Sequence, residues 1–409
     1  MQLVPSPEQT VLRDNVHRYL TEHYSFPQRC AMLSEARGFC RGRWKALAQL
    51  GWLGIEAPEA FGGSDDTPAE TAVVLDEFGR FLVPEPLLAC ATLPARLLIE
   101  CADAEQRSKF LRSLVSGDLL FAVAHHEVPG RGAADFVQAR ATTLPGGRFL
   151  LTGTKSAAVS ADRADYIIVS ARMHGYCDDP YGISLFLLDP ALPGVTRRNF
   201  RTIDGGSAAD LTLQDVEVGA DTLLGADGHA NRALVRASEH FVVGACAEAV
   251  GIMDAVVKLT VEHLKTRRAY GSTLSTYQAL QHRLADMLME LELSRSMLMR
   301  ALDALSRGDD HTRHKDVAAA RVLIGNAGRF LASSGIQLHG AMGVVEEYIV
   351  GHYLKRLNVL FALCGSATFH LRQYSSANGA GSSGRETARL QSDRPAPLAA
   401  LRAAPLLEV

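Results

Sequence analysis

Two short segments in the second half of the sequence combine residues that could bind a phosphorylated ligand. The first is residues 267–271 (RRAYG), followed seven residues later by Gln278. An arginine can neutralise a diphosphate through paired, charge-assisted hydrogen bonds, and Gly271 suits the end of a helix. The second is residues 337–343 (QLHGAMG), a glycine turn that admits close approach of a ligand to the backbone. For the first segment, a surface arginine at an ordinary helix end is the structural alternative.

The elements around these segments change period twice along the chain. Helical spacing of apolar residues dominates over 1–118, and short β-rich runs bounded by glycine and proline turns follow over 119–222. Helical periodicity returns over 223–374 in three long amphipathic stretches. Residues 375–409 are rich in Ala, Gly, Ser, Pro and Arg without an apolar stripe, which predicts a disordered tail. This order predicts an α-helical N-terminal domain, a central β-barrel or sandwich and a C-terminal four-helix bundle.

The composition is that of an ordinary globular protein with several domains. The chain has 409 residues, of which 47% are hydrophobic and 21% charged, and its net charge of -3 gives no reason to expect nucleic acid as a partner. No apolar run approaches the roughly 18 residues of a membrane span, and the N-terminus lacks the features of a secretion signal. Seven scattered cysteines without a CxxC pair suit a reducing cytoplasm. The 14 histidines lack zinc-ligand spacing, so we predict no metal site.

A third segment indicates what these parts resemble. Residues 51–63 (GWLGIEAPEAFGG) are close to the N-terminal pattern G-x-x-G-(x)3-P-E-x-[YF]-G-G of the acyl-CoA dehydrogenase family. The segment at 267–278 resembles the family motif R-x-x-[FY]-G with its following Gln. The turn at 337–343 resembles the family motif Q-x-x-G-G-x-G, with Ala341 in place of the second glycine. Over about residues 5–372, the chain is thus similar to acyl-CoA dehydrogenases.

This resemblance implies the acyl-CoA dehydrogenase fold, FAD as the cofactor and an acyl-CoA thioester as the substrate. The family reaction removes the α-proton of the thioester while a hydride leaves the β-carbon for the flavin. By the same resemblance, an electron-transfer flavoprotein or similar protein would accept the electrons. The family's flavin contacts, several of them to the ADP half of a neighbouring subunit's FAD, fall on Arg267, Tyr270, Gln278, Gln337, Gly340, Gly343 and Ser366.

Shorter segments resemble one subset of the family. Residues 153–155 (GTK), 182–189 (GISLFLLD), 247–251 (AEAVG) and 278–283 (QALQHR) look like those of the small (β) subunits of heteromeric enzymes such as pimeloyl-CoA dehydrogenase. The steroid side-chain acyl-CoA dehydrogenases that work as paired subunits are similar. This finer resemblance implies a homologous partner subunit.

The carboxylate base that the reaction needs is missing from both positions where the family holds it. Cys364 stands in place of the glutamate that follows the glycine turn, and a thiol is mostly protonated at neutral pH. The second position, on the first long C-terminal helix, falls on Phe241. Glu239 and Glu248 are nearby carboxylates outside the register, and they are the candidates if the chain has its own base. The alternatives are a solvated or capped helix residue for Glu248 and a small buried hydrophobe for Cys364.

The flavin-facing part of the β segment is altered as well. The family's T-E-P-x-x-G-S-D becomes residues 126–135 (HEVPGRGAAD), so its serine and aspartate are lost or displaced. Ala157 replaces the tryptophan that covers the flavin ring, and Val159 replaces a hydroxyl residue, with Ser160 one position off. The motifs that would serve a neighbour's FAD are therefore kept, while those that would build this chain's own catalytic pocket are changed.

We predict a site-completing subunit of a heteromeric acyl-CoA dehydrogenase, cytoplasmic, that acts in lipid, dicarboxylate or sterol degradation. Two alternatives remain open. One is a self-sufficient homotetrameric enzyme with an unusual base, and the other is a flavin-free scaffold on the same fold. A Rossmann nucleotide-binding protein is excluded because no strand, GxGxxG and helix unit is present.

Overall fold

The computed structural model describes residues 6–35, 39–306 and 309–377, and the predicted tail beyond residue 377 lies outside this range. The N-terminal part is helical, as the apolar spacing predicts. A capping box of Thr67 and Glu70 with Pro68 in the first turn begins its fourth helix. The helices are α1 (Pro7–His23), α2 (Phe26–Glu35), α3 (Arg41–Gln49), α4 (Pro68–Phe81), α5 (Leu93–Cys101), α6 (Ala104–Gln106) and α7 (Arg112–Val115).

A single eight-stranded sheet forms the middle of the chain. Its strands are β1 (Phe121–Ala124), β2 (Arg140–Leu144), β3 (Arg148–Val159), β4 (Tyr166–Arg172), β5 (Ile183–Leu188), β6 (Val195–Arg201), β7 (Ser207–Val218) and β8 (Leu223–Leu224). The strand order is β6-β7-β3-β2-β4-β5-β8, and β1 pairs in parallel with β4. Strand β5 is buried along its whole length, including Ser184.

The pairing of β3 with β7 inside this sheet has an irregularity. The register shifts between Lys155 and Ala158, and Ala157 has a positive φ of 52°. A bulge of this kind redirects side chains locally. Ala157 and Val159, which are two residues apart on β3, both line the cavity that is described below.

The C-terminal part is a bundle of long antiparallel helices. Helix α8 (Asn231–Thr266) is followed by a hairpin of β9 (Arg268–Ala269) and β10 (Ser272–Thr273), then α9 (Gln278–Ser306), α10 (Asp310–His339), α11 (Ile349–Leu363) and α12 (Ala367–Ala377). The chain reverses between α8 and α9 and again between α9 and α10. The end of α8, the start of α9 and the end of α10 therefore lie at one end of the bundle. The start of α8 and the start of α10 lie at the other end.

The last helix extends further than the sequence predicts. The disordered tail was predicted from residue 375, but α12 continues to Ala377. Its last turn is held by a contact that the sequence does not reveal, because the carbonyl of Ala377 accepts a hydrogen bond of 2.6 Å from His311 Nε2 on α10. Lys315 of α10 also stacks over the ring of Tyr374.

Two glycines let α4 and α8 pack unusually close together. A Cβ atom on Gly251 of α8 would stand 1.8 Å from the carbonyl oxygen of Asp76, and one on Gly79 of α4 would stand 2.0 Å from that of Glu248. The two helices therefore touch backbone to backbone, and this crossing fixes the N-terminal domain against the bundle. Among the described helices, none is long and apolar enough to cross a membrane.

Candidate functional site

A cavity of about 650 Å³ opens where the sheet meets the bundle. This volume is typical of a site for a cofactor or small molecule. Its walls come from the end of β1 and the loop after it, from β3, from the first turns of α8 and α10, and from the junction of α11 and α12. The cavity lies at the end of the bundle where α8 and α10 begin.

The altered motif positions meet in this cavity. Cys364, Ala157, Val159 and Phe241 all line it, although they lie far apart in the sequence. Cys364 follows the last residue of α11 and is buried, and burial raises the pKa of its thiol to about 12. At neutral pH the thiol keeps its proton, so it cannot act as the general base that the family position requires.

Glu239, one of the two candidate bases, lies in the cavity wall but is held in an ion pair. Its Oε2 accepts a hydrogen bond of 2.6 Å from Arg313 Nε, and its Oε1 pairs with the imidazole of His314. The hydrogen bond to Glu239 raises the pKa of His314, which favours the charged imidazolium. Both oxygens of Glu239 are thus engaged by neighbours on α10.

Glu248, the other candidate, does not line this cavity. Both of its oxygens are hydrogen-bonded to Arg356, from Nε at 2.5 Å and from a terminal nitrogen at 3.0 Å, and the guanidinium also binds Asp204 at 2.9 Å. The side chain is buried. The alternative of a solvated residue is therefore wrong for Glu248: it is part of a buried ion-pair network between α8 and α11.

A second buried ion pair fixes the loop that follows β1. Lys155 Nζ lies 2.6 Å from Glu127 Oε1 and 2.9 Å from the hydroxyl of Ser170. Glu127 also accepts hydrogen bonds from the backbone amides of Gln138 and Ala139. These bonds join the two ends of the loop that runs from Glu127 to Gln138. Burial lowers the pKa of Lys155 to about 8. This pair holds the cavity wall that carries Asp135, the cavity's other carboxylate residue.

Histidines contribute more to the cavity than the sequence analysis anticipated. His125, His126, His311, His314 and His370 all line it. Burial lowers the pKa of His125 to about 3 and that of His370 to about 4, so both are neutral at physiological pH. The sequence analysis considers the histidines only as possible metal ligands. The described residues include no cluster of three metal-ligating side chains.

The tautomer of one of these histidines follows from its partner. His370 Nε2 lies 2.7 Å from the carbonyl oxygen of Cys364. Because a carbonyl oxygen can only accept, Nε2 carries the proton and donates it. The imidazole thereby ties α12 to the residue at the usual base position.

The predicted flavin-binding residues occupy the opposite end of the bundle. Arg267 directly follows α8, Gln278 begins α9, and Gln337 lies in the last turn of α10; all three are exposed. Glu239 and Arg267 are separated by 28 residues of α8, which corresponds to about 40 Å at 1.5 Å per residue. Among the described residues, no hydrogen-bonding partner engages the side chain of Arg267. These residues therefore cannot serve the cavity of their own chain.

The glycine turn at this end has the backbone shape that its motif predicts. Gly340 has a positive φ of 61°, and a Cβ atom on Gly343 would stand 2.6 Å from the carbonyl oxygen of Ile336. The φ angle of Ala341 is not positive, so its backbone has a conformation that an alanine side chain tolerates, and the turn accommodates its methyl group. Tyr270 is 96% exposed at the tip of the β9–β10 hairpin.

Ser366, the remaining predicted contact, has a local role. Its hydroxyl accepts a hydrogen bond of 3.1 Å from the backbone amide of Phe369, which caps the start of α12. It is exposed and lies two residues beyond Cys364.

Comparison with known proteins agrees with this fold. A model of the acyl-CoA dehydrogenase N-terminal domain matches residues 6–118, and one of the acyl-CoA dehydrogenase C-terminal domain matches residues 236–377. Together the two models cover more than half of the chain. The chain belongs to the acyl-CoA dehydrogenase family, whose members are FAD-dependent dehydrogenases of acyl-CoA thioesters.

The similar proteins include characterised dehydrogenases. Mitochondrial isovaleryl-CoA dehydrogenase of Pongo abelii is 27% identical over 356 residues, which span 86% of this chain and 84% of the relative. The short-chain-specific acyl-CoA dehydrogenase of Megasphaera elsdenii is 28% identical over 317 residues, 76% of this chain and 82% of the relative. A solved structure of a variant of the Tcur3481-Tcur3483 steroid ACAD is 28% identical, with a TM-score of 0.82, and the match covers 92% of this chain and 99% of that one.

Proposed function

We propose that this chain is a subunit of an FAD-dependent acyl-CoA dehydrogenase that completes the flavin site of a homologous partner. The observation that carries this proposal is the state of the usual base position. Cys364 is a buried thiol that stays protonated at neutral pH, and neither Glu239 nor Glu248 is free to replace it. Removal of a weakly acidic α-proton requires a free base within reach, so the partner would supply it.

The residues at the far end of the bundle fit the ADP half of FAD. Arg267 is exposed and can form paired, charge-assisted hydrogen bonds with a diphosphate. The turn at Gly340 and Gly343 offers a backbone surface that an added side chain would disturb. Gln278 and Gln337 would supply amide hydrogen bonds beside it. When bound, FAD supplies the acceptor for the hydride that leaves the β-carbon of the substrate.

The position of this ADP site supports sharing between subunits. It lies about 40 Å along α8 from the chain's own cavity, so its flavin would extend into a neighbour. The similar steroid ACAD bears a double name, Tcur3481-Tcur3483, which agrees with a paired assembly. The chain's role would be to hold and orient the cofactor, while the partner removes the proton. We further propose lipid, dicarboxylate or sterol degradation as the setting and an electron-transfer flavoprotein or similar acceptor.

One observation favours the alternative of a self-sufficient enzyme. The chain retains a cavity of about 650 Å³ with two carboxylate residues, Glu239 and Asp135, in its wall. If Glu239 left its partners on α10, it could act as a base. The two ion-pairing neighbours of Glu239 oppose this, because its release would leave the buried Arg313 without that partner.

The deciding experiment is to purify the chain alone and together with a co-expressed homologue encoded nearby. We expect little flavin on the isolated chain and about one FAD per two chains in the mixed complex. Dehydrogenase activity should disappear when the homologue's catalytic glutamate becomes glutamine. About one FAD per chain, bleached by an acyl-CoA without any partner, would refute the proposal and direct mutagenesis to Glu239 and Asp135.

A further inference from the structure

A second, smaller cavity adjoins the first one. Its volume is about 70 Å³, enough for several water molecules or a short piece of a ligand. The two cavities share part of their lining, formed by Ala89, Ala157, Val159, Phe241 and Leu363. All five shared residues are apolar. The smaller cavity is therefore a continuation of the larger one past an apolar neck beside the usual base positions, Phe241 and Cys364.

The polar side chains around the smaller cavity are paired, with one exception. Arg356 binds both Glu248 and Asp204, and Asp204 also accepts a hydrogen bond from Thr202. The hydroxyl of Ser207 donates to Asp162 at 2.8 Å, and that of Ser160 interacts with the thiol of Cys90. These groups are already satisfied within the chain.

The exception is Glu85, which follows α4 in the sequence VPEP. The residue is only 2% exposed, and neither carboxylate oxygen has a hydrogen-bonding partner among the described residues. The hydroxyl of Tyr24 lies beside the carboxyl group and interacts with it. Burial raises the pKa of Glu85 to about 7, which favours a neutral carboxylic acid below that pH. A neutral acid offers one donor and one acceptor to a ligand.

We propose that the smaller cavity receives the tail of an acyl thioester and that Glu85 selects a tail bearing an uncharged oxygen, a hydroxyl or a ketone. The inference rests on the proposed function only in taking an acyl-CoA as the ligand. A buried polar group without a partner favours a ligand that supplies one, and a site built in this way discriminates against an analogue that lacks the oxygen.

The charges of the cavity argue against a tail that ends in a carboxylate. Arg356, the cationic side chain among the described lining residues, is already bound by Asp204 and Glu248. An added carboxylate would therefore be buried without a free cation in the lining to pair with it. The site therefore favours neutral oxygenated chains over dicarboxylic ones.

Equilibrium binding of matched CoA thioesters tests this inference, with the full-length chain in whatever complex it is purified. Chains of four, six and eight carbons would each be compared as a plain acyl-CoA, a hydroxyacyl-CoA and an oxoacyl-CoA with the oxygen at the penultimate carbon, and a dicarboxylic mono-CoA ester. We expect at least one length at which a neutral oxygenated ester binds about tenfold tighter than the plain one. The dicarboxylic ester should bind no tighter than the plain one.

Substitutions at Glu85 locate the effect. Glu85→Gln keeps a donor and an acceptor and should retain the preference, whereas Glu85→Leu should abolish it and leave the affinity for the plain ester nearly unchanged. Tyr24→Phe removes the hydroxyl beside Glu85 but keeps the carboxyl group, so it should retain the preference. Comparison of the hydroxyacyl-CoA with the oxoacyl-CoA shows whether Glu85 prefers a hydroxyl or a ketone.

Three outcomes would overturn the inference: equal affinities at every length, a preference that persists in Glu85→Leu, or no binding of any ester. If Glu85→Leu does not fold, equal affinities in the wild-type chain still decide against it. The first two outcomes are independent of the proposed partner-subunit role, because binding is measured without turnover, whereas the third would also count against an acyl-CoA as the ligand of this cavity. If an acyl-CoA bleached a flavin bound to the isolated chain, the partner-subunit role would be refuted. The preference of Glu85 would be untouched.

Discussion

At the scale of single residues, the chemistry of the cavity depends on which groups keep their protons at neutral pH. Cys364, Ala157 and Val159, which stand at altered motif positions, all line one cavity. The motifs do not include Glu85 or His370. Their properties arise from burial, and burial is produced by elements far apart in the chain, so no local sequence pattern reports it.

The thiol of Cys364 should be dispensable for catalysis. We expect Cys364→Ala, in the complex with its partner, to change kcat by less than about threefold, because a thiol with a pKa of about 12 contributes no base at neutral pH. Loss of a true general base costs about 100-fold or more. Steady-state kinetics with an acyl-CoA measure the effect, with the partner's Glu→Gln variant as the positive control. A loss on the order of 100-fold would assign Cys364 a direct role.

Glu85 should make the chain less stable as the pH rises. Its pKa is about 7 in the folded state and about 4.5 when unfolded, so the folded state binds more protons between these values. The stability contributed by the neutral acid is complete below pH 4.5 and is lost as the pH rises through 7. The difference corresponds to roughly 3 kcal/mol.

Replacement of Glu85 by glutamine removes this dependence. We expect Glu85→Gln to be more stable than the wild type at pH 8, and the advantage to shrink toward pH 5. Urea unfolding of both proteins at several pH values measures it, and the difference between the curves cancels the contributions of His125 and His370, which act in the opposite direction. Parallel curves for the two proteins would mean that Glu85 ionises normally.

At the scale of elements, helices were predicted better than strands. The apolar stripes of α8, α9 and α10 are long enough to give an unmistakable period, and the structure has helices there. Within the predicted β segment 119–222, the β-rich runs of the sequence fall on β3, β4, β5 and β7, and no such run marks β1, β2, β6 or β8. Strand β6 (Val195–Arg201) is mostly exposed and carries three arginines, as suits an edge strand, so it lacks the alternation that marks a half-buried one.

The crossing of α4 and α8 could not be predicted from either helix alone. We expect Gly251→Ala to destabilise the protein by about 3 kcal/mol, because the new methyl group would collide with the backbone carbonyl of Asp76. Gly42→Ala in α3 is the matched control. Its methyl group would meet only the Cys40 sulfur at 3.6 Å, so the helix preference of alanine should make it neutral or slightly stabilising.

Thermal and urea unfolding of the two variants measure this difference. Equal stability of Gly251→Ala and Gly42→Ala would show that the two helices separate at little cost. In that case the position of Glu248 and its ion pair with Arg356 could not depend on the close crossing.

At the scale of the whole molecule, two functional regions lie at opposite ends of α8. The cavity with its protonated thiol is at one end, and the exposed flavin-binding motif is at the other end. The sequence predicts this only through family resemblance, since spacing along a chain does not say which end of a bundle a residue occupies. The reversals between α8, α9 and α10 supply that information and bring Arg267, Gln278 and Gln337 to the same end.

Two adjacent arginines allow this separation to be tested. We expect Arg267→Ala to weaken flavin binding by the mixed complex about 10- to 100-fold, because the diphosphate would lose a charge-assisted pair of hydrogen bonds. Arg268→Ala is the control: that side chain is equally exposed but makes only a long contact, 3.4 Å, with the carbonyl of Gly271. Flavin absorbance per chain after dialysis, with circular dichroism as the test of folding, measures both variants.

The pattern of flavin loss also reports which subunit's flavin is held. Because Arg267 lies about 40 Å from its own cavity, its loss should leave the affinity of that cavity for acyl-CoA unchanged while the complex loses flavin. If Arg267→Ala and Arg268→Ala lost flavin equally, the effect would be one of general charge rather than of a specific diphosphate contact. If Arg267→Ala kept its flavin, other residues would have to hold the ADP half of FAD. A cofactor shared between subunits would then no longer explain why the flavin-binding motif and the cavity lie at opposite ends of the bundle.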